Sequence, residues 1–194
     1  MYHDLLRDAS FWTFLFDVDR DLAESTRQKA CPCGGRLHRA NYPRKPRGGG
    51  DDLPEAYDSR LSFCCDRDGC RKRATPPSVR FLGRKVYLGA VVVLVAAMRQ
   101  GPTPRRVREL SQLFGADRRT IARWQVFWRE QFPQTAFWKV ARGRFAPPVE
   151  IANLPLSLLE RHVHGDDDRQ GWKGLLWFLA TITTAGGLLI EVAR

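Results

Sequence analysis

Five cysteines in two tight clusters constrain this chain more than any other feature: Cys31 and Cys33 in CPCGG, and Cys64, Cys65 and Cys70 in SFCCDRDGC. Thiols grouped this closely serve a metal, a disulfide framework or redox chemistry, and the odd count argues against a complete set of disulfides. Two short-spaced pairs, each at a turn, can deliver four sulfurs tetrahedrally to one zinc ion, with Gly34, Gly35 and Gly69 supplying the backbone freedom. Each cluster then reads as one knuckle of a zinc ribbon. If residues 61–65 form a strand, Phe63 and Cys65 share a face and Cys64 points away. The expected ligands of a structural Zn2+ are therefore Cys31, Cys33, Cys65 and Cys70, with Cys64 a packed free thiol or a substitute ligand. The Cys-x-Cys spacing is tighter than the Cys-x2-Cys of most ribbons, which makes His38 a candidate replacement.

Charge is concentrated around these cysteines. Residues 27–144 hold 26 of the 32 Lys and Arg and 9 of the 21 Asp and Glu, a net of +17, whereas the flanks carry 6 basic and 12 acidic residues, a net of −6. A positive field confined to the cysteine-bearing half is the pattern of a polyanion-binding surface. Arginine outnumbers lysine 26 to 6, and a GC-rich coding sequence explains that choice of residue, though not its clustering.

With 194 residues, 43% of them hydrophobic, the chain can bury one core or two small ones. Asp4 and Asp8 interrupt any apolar leader in the first dozen residues, so a cytoplasmic, nucleoid-associated protein is expected. Residues 86–98 are too short to span a bilayer, and residues 174–190 carry threonines and Gly186-Gly187, which favours a buried hairpin or helix over membrane insertion. Residues 10–22 read as an amphipathic helix with Phe11, Phe14, Leu15, Val18 and Leu22 on one side and Ser10 as N-cap. Residues 41–58 are rich in Pro, Gly and charge, and predict a mobile excursion outside the core whose Arg44, Lys45 and Arg47 grip phosphate. The expected organisation is an N-terminal helix (1–26), a zinc ribbon (27–84), a helix-turn-helix domain (85–132) and a helical C-terminal region (133–194).

The helix-turn-helix occupies residues 103–132. Thr103 caps and Pro104 opens a helix with Val107, Leu110, Leu113 and Phe114 on one face, and Gly115 ends it. Asp117 then caps a second helix that carries Ile121, Trp124 and Trp128 inward. A recognition helix docks its N-terminal half in the major groove, which makes Arg118, Arg119, Thr120, Arg123 and Gln125 the expected base and phosphate readers. Arg105, Arg106 and Arg108 on the preceding helix fall near phosphates, as do Arg71, Lys72 and Arg73 after the second knuckle. Residues 85–99 supply the supporting first helix, apolar all round and so buried on several sides or against a second copy of the chain.

CPCGG, the second knuckle running into CRKRATPPSVRF, the apolar helix and RELSQLFGADRRTIARW together resemble the DNA-binding region of bacterial insertion-sequence transposases, in which a zinc ribbon precedes a helix-turn-helix. The likeness covers roughly residues 28–132. It implies binding of double-stranded DNA in the service of a mobile element, with a transposase or recombinase as partner. The first knuckle is one residue short of that pattern, and no transposase catalytic domain has room to follow.

The C-terminal HVHGDDD gathers His162, His164, Asp166, Asp167 and Asp168, a set that could hold a catalytic metal but is also an ordinary solvated loop. FWKVARGRF mixes aromatic and basic residues that either stack on nucleic acid or pack the core. The reading is a mainly α protein with a small zinc-bound β element, a sequence-specific DNA-binding accessory factor and not an enzyme. A small nuclease or degenerate transposase fragment and an RNA-binding zinc ribbon are the alternatives.

Overall fold

Phe11, Trp12, Leu15, Val18, Asp19, Leu22 and Ala23 recur at helical spacing, and all are buried along one side of α1 (Ala9–Gln28). In a computed structural model describing residues 8–44, 46–49, 53–82, 87–97, 104–165 and 168–184, this helix is longer at both ends than residues 10–22. Its cap is Asp8, whose Oδ1 accepts the Ser10 N–H at 2.8 Å, and not Ser10. A carboxylate reaches the free N–H of the second helical residue more strongly than a hydroxyl would.

After α1 come five short strands: β1 (Leu37–Arg39), β2 (Tyr42–Pro43), β3 (Ser59–Arg60), β4 (Phe63–Cys65) and β5 (Arg73–Ala74). β1, β4 and β5 form an antiparallel sheet with Leu37 opposite Cys65 and Phe63 opposite Ala74, while β2 pairs with β3 separately. The excursion between β2 and β3 is not peripheral. Tyr57, in the short turn Glu55–Asp58, is 1% exposed and donates to the Trp12 carbonyl at 2.5 Å, and Leu88 N–H donates to the Arg47 carbonyl at 3.0 Å. One large aromatic with a satisfied hydroxyl outweighs the loop-forming composition around it.

Helices follow: α2 (Gly89–Ala96), α3 (Pro104–Phe114), α4 (Arg118–Val126), α5 (Ala136–Ala141), α6 (Leu156–His162) and α7 (Arg169–Thr184). α2 is shorter than residues 85–99, and Ala90, Val91, Val92 and Val93 are all buried, as its unbroken apolar run requires. α4 continues into a π-helical turn, Phe127–Gln131, and a 3-10 turn, Phe132–Gln134, where Pro133 cannot donate the next helical bond. Residues 98–103 and the side chains of Arg106, Val107, Leu110 and Leu113 lie outside the described residues, as do Lys45, Asp166, Asp167 and residues 185–194.

The main core draws on α1, Tyr57, residues 79–82, α2, α4, α6 and α7 together, so the four successive segments read from the sequence share one interior. A second, small cluster of Ala23, Cys31, Leu37, Phe63 and Cys65 lies under the cysteine-bearing sheet. α1 serves both, through Leu22 on one side and Ala23 on the other. Among the described residues, no helix is long and apolar enough to cross a membrane.

Between α1 and the segment after β5 lies a buried ion pair. Arg80 Nε stands 2.7 Å from Asp19 Oδ2, and both side chains are fully buried. Asp19 also accepts from Ser78 Oγ at 2.5 Å and Val79 N at 2.7 Å, and the Arg80 guanidinium lies over the rings of Phe16, Tyr57 and Phe81 at 4.7, 4.8 and 5.0 Å. One hydroxyl donor, one backbone N–H and three ring faces offset much of the desolvation of the two charges.

Candidate metal centre and nucleic-acid interface

The turn after α1 and the turn after β4 bring four sulfurs to one point. Ala30 and Gly34 take left-handed conformations (φ 55° and 81°) on either side of the first pair, and Gly69 and Arg71 (φ 82° and 43°) flank Cys70. Cys31 N–H donates to the Gly35 carbonyl at 3.0 Å and Gly34 N–H to the Cys31 carbonyl at 2.7 Å, closing the first turn. Cys70 N–H donates to the Arg67 carbonyl at 3.1 Å, closing the second. The Sγ atoms of Cys31, Cys33, Cys65 and Cys70 all lie within 4.8 Å of one another. Cys31 and Cys70 are 3.7 Å apart and Cys33 and Cys65 3.5 Å. Sulfurs about 2.3 Å from a tetrahedral ion stand about 3.8 Å apart, while a disulfide is about 2.05 Å, so the spacing fits a metal and not two S–S bonds. Four cysteines close together can hold a metal ion.

Backbone donors already point at the sulfurs. The Gly35 N–H, followed by the neighbouring thiols, holds Cys33 down to about 6, which favours the thiolate a metal needs. At Cys65 the Arg67 N–H also favours the thiolate, but burial and the three other thiols outweigh it and push the group up to about 12. Cys33 thus ionises readily, whereas Cys65 needs a cation beside it to do so. Gly35 has no room for a side chain: a Cβ there would stand 2.5 Å from Cys65 Sγ and 3.0 Å from Asp66 Oδ1.

Cys64 is left out of the group. It faces the opposite side of β4, with its Sγ 3.3 Å from the Arg71 carbonyl. His38 is also outside it, exposed on β1 with Nε2 3.4 Å from Asp66 Oδ2, and so does not replace a thiol. Among the described residues, no other cluster of His, Cys, Asp or Glu could hold a metal.

Asp168 and His162 of the HVHGDDD segment are used structurally. Asp168 accepts from His164 N–H at 2.9 Å and Gly171 N–H at 2.8 Å, and these donors hold its carboxyl below the usual range. His162 packs between Phe145 and Phe178, and burial holds its imidazole below the ordinary value.

The expected DNA-contact residues divide by orientation. Asp117 caps α4 by accepting Thr120 N–H at 2.7 Å, and Gly115 turns the chain at φ 60°. Ile121, Trp124 and Trp128 are buried, with Trp124 4.9 Å from the Tyr87 ring, while Arg118, Arg119 and Arg123 are exposed. Thr120 is not an outward reader: it is 6% exposed, and its Oγ1 accepts from Arg123 at 3.0 Å. Gln125 is half-buried, with its Nε2 enclosed, and does not present its amide outward. The physical reason is the 100° step of the helix, which puts residues 120, 121, 124, 127 and 128 on one face. On α3, Arg105 and Arg108 are exposed and Arg105 pairs with Glu109 at 3.1 Å. Arg71 and Lys72 are exposed, with Arg71 bonded to Asp68. Arg73 donates to the Ala40 carbonyl at 2.8 Å beside the Tyr42 ring, and half-buried Arg44 lies 4.6 Å over Phe81, so both are partly engaged in packing.

Comparison of the chain with protein-family models, with curated proteins and with solved structures finds no match.

Proposed function

We propose that the chain is a zinc-dependent, sequence-specific binder of double-stranded DNA, with a role as an accessory factor of a mobile element inferred from its likeness to insertion-sequence transposases. The observation that carries the DNA reading is the two-faced α4. Ile121 and Trp124 bury one side, while Arg118 and Arg119 at its N-terminus and Arg123 in its last turn are exposed on the other. Three cations against one capping carboxylate, Asp117, leave a local positive field on a helix that packs on α2 and follows α3 through the Gly115 turn, the order of a helix-turn-helix. Such a helix fits a major groove, with arginine paired to guanine edges. Arg105 and Arg108 supply phosphate contacts, for which the exposed Arg105 to Glu109 pair, worth a few tenths of a kcal/mol, is easily exchanged.

Zinc is the ion that suits four thiolates at this spacing, and its part is structural. When bound it would fix the two turns to one another; the chain's own N–H groups at Gly35 and Arg67 orient the sulfurs for it. A binding role is favoured over a nuclease because Asp168 is committed to backbone donors and His162 is packed among aromatic rings.

Selection from a random duplex library tests the reading. A defined consensus should emerge, and Arg119→Ala or Arg123→Ala should each cost about 1 to 3 kcal/mol on it and relax base preference. No consensus would defeat the proposal of sequence-specific recognition.

A further inference from the structure

We propose that the arch formed by residues 139–144 is a second phosphate-contacting element, engaging the DNA backbone without reading bases; this rests on the duplex-binding reading above. Lys139, Val140, Arg142, Gly143 and Arg144 are all exposed at the end of α5, and Val140 is 76% exposed. Among the described residues, no carboxylate pairs with the Lys139, Arg142 or Arg144 side chain. Three cations within six residues are left facing solvent, whereas Arg20, Arg27, Arg71 and Arg105 each meet an acid.

The aromatic residues of the same run do a different job. Trp138 and Ala141 are buried, Trp138 lies 5.1 Å from Phe132 and 6.1 Å from Phe145, and Phe137 and Phe145 meet Phe178 at 5.0 and 5.5 Å. With their rings consumed by the core, they offer no platform for base stacking, which removes single-strand binding by stacking as the use of this segment. What they do is pin the backbone of the arch, so that its cations are presented from a fixed support and lose little freedom on contact. Phe132, which links them to Phe127 and Trp128, places that support directly after the turn that ends α4. Space is left in front: a Cβ on Gly143 would meet nothing within 4 Å. Evenly spaced phosphates are the ligand that unpaired, sequence-blind arginines and lysines take.

The test titrates the full chain, the triple variant Lys139→Ala/Arg142→Ala/Arg144→Ala and Gly143→Glu onto duplexes at several salt concentrations, with thermal melting to verify folding. The triple variant should weaken preferred and scrambled duplexes by the same factor and reduce the slope of log K against log salt by about 2 to 3 units, as expected for three lost phosphate contacts at roughly 0.9 each. Gly143→Glu, which places a carboxylate in open space, should weaken duplex binding without lowering Tm. An unchanged slope and affinity in both variants, while the wild-type chain binds duplex, would overturn this inference alone. Failure of the wild-type chain to bind any duplex would instead overturn the reading on which it rests.

Discussion

Asp19 on α1 and Arg80 after β5 meet at 2.7 Å with neither side chain exposed to solvent. The pair ties the N-terminal helix to the segment that leaves the cysteine-bearing sheet, so it fixes how that sheet is carried by the helical core. Removing one partner leaves the other charge buried. Asp19→Ala should therefore destabilise the fold by about 3 to 5 kcal/mol, and replacing both residues by apolar side chains should cost much less than the two single changes summed. Urea melts of the two single variants and the double variant measure this; additive losses would contradict it.

The four-sulfur site predicts one zinc per chain. Cys31→Ser, Cys33→Ser, Cys65→Ser and Cys70→Ser should each release it and loosen the sheet, since structural zinc supplies folding energy on the order of 10 kcal/mol or more. Cys64→Ser should keep the metal, because its Sγ faces the Arg71 carbonyl on the other side of β4. Elemental analysis of the purified variants separates these outcomes.

Gly35 and Gly34 should respond differently to the same change. Gly35→Ala drives a Cβ to 2.5 Å from Cys65 Sγ, and a displaced ligand should lower metal affinity about 10- to 100-fold, the usual cost of disturbing the surroundings of a metal ligand. Gly34→Ala meets nothing within 4 Å and suffers only its left-handed φ of 81°, a backbone cost of about 1 to 2 kcal/mol with the sulfurs still in place. Competition with a colorimetric zinc chelator reads the difference.

How much of this was legible in the sequence depends on the range of the interaction. Strand alternation alone separates Cys65 from Cys64, and the buried stripe of α1 follows from residues spaced three and four apart. The Pro104 start and Asp117 cap of α3 and α4 are likewise local chemistry. Asp19 and Arg80 are 61 residues apart, and nothing local marks either as buried. Tyr57 was hidden by the Pro, Gly and charge around it. The inward turn of Thr120 did have a signal: it lies four residues before Trp124 and one before Ile121, on the face those residues bury, and a polar residue type obscured it.

Acid should destabilise the helical starts. Hydrogen bonds from Ser10 to Asp8, from Thr120 to Asp117, and from His164 and Gly171 to Asp168 hold all three carboxyls below their usual values. Groups with depressed folded values contribute stability that is present above the unfolded carboxyl range, near pH 4, and is lost as pH falls through the folded values. Thermal melts should show Tm dropping below about pH 4, with a smaller drop in Asp117→Asn, which keeps a capping oxygen but does not titrate.

The most direct measurement is a competition titration in which the zinc-loaded chain, bound to its selected duplex, is challenged with scrambled duplex and with single-stranded RNA of the same sequence. The account predicts that the selected duplex competes best, that scrambled duplex follows with specificity lost but the salt dependence kept, and that RNA competes least. RNA competing better than either duplex would contradict the reading of α4 as a major-groove helix.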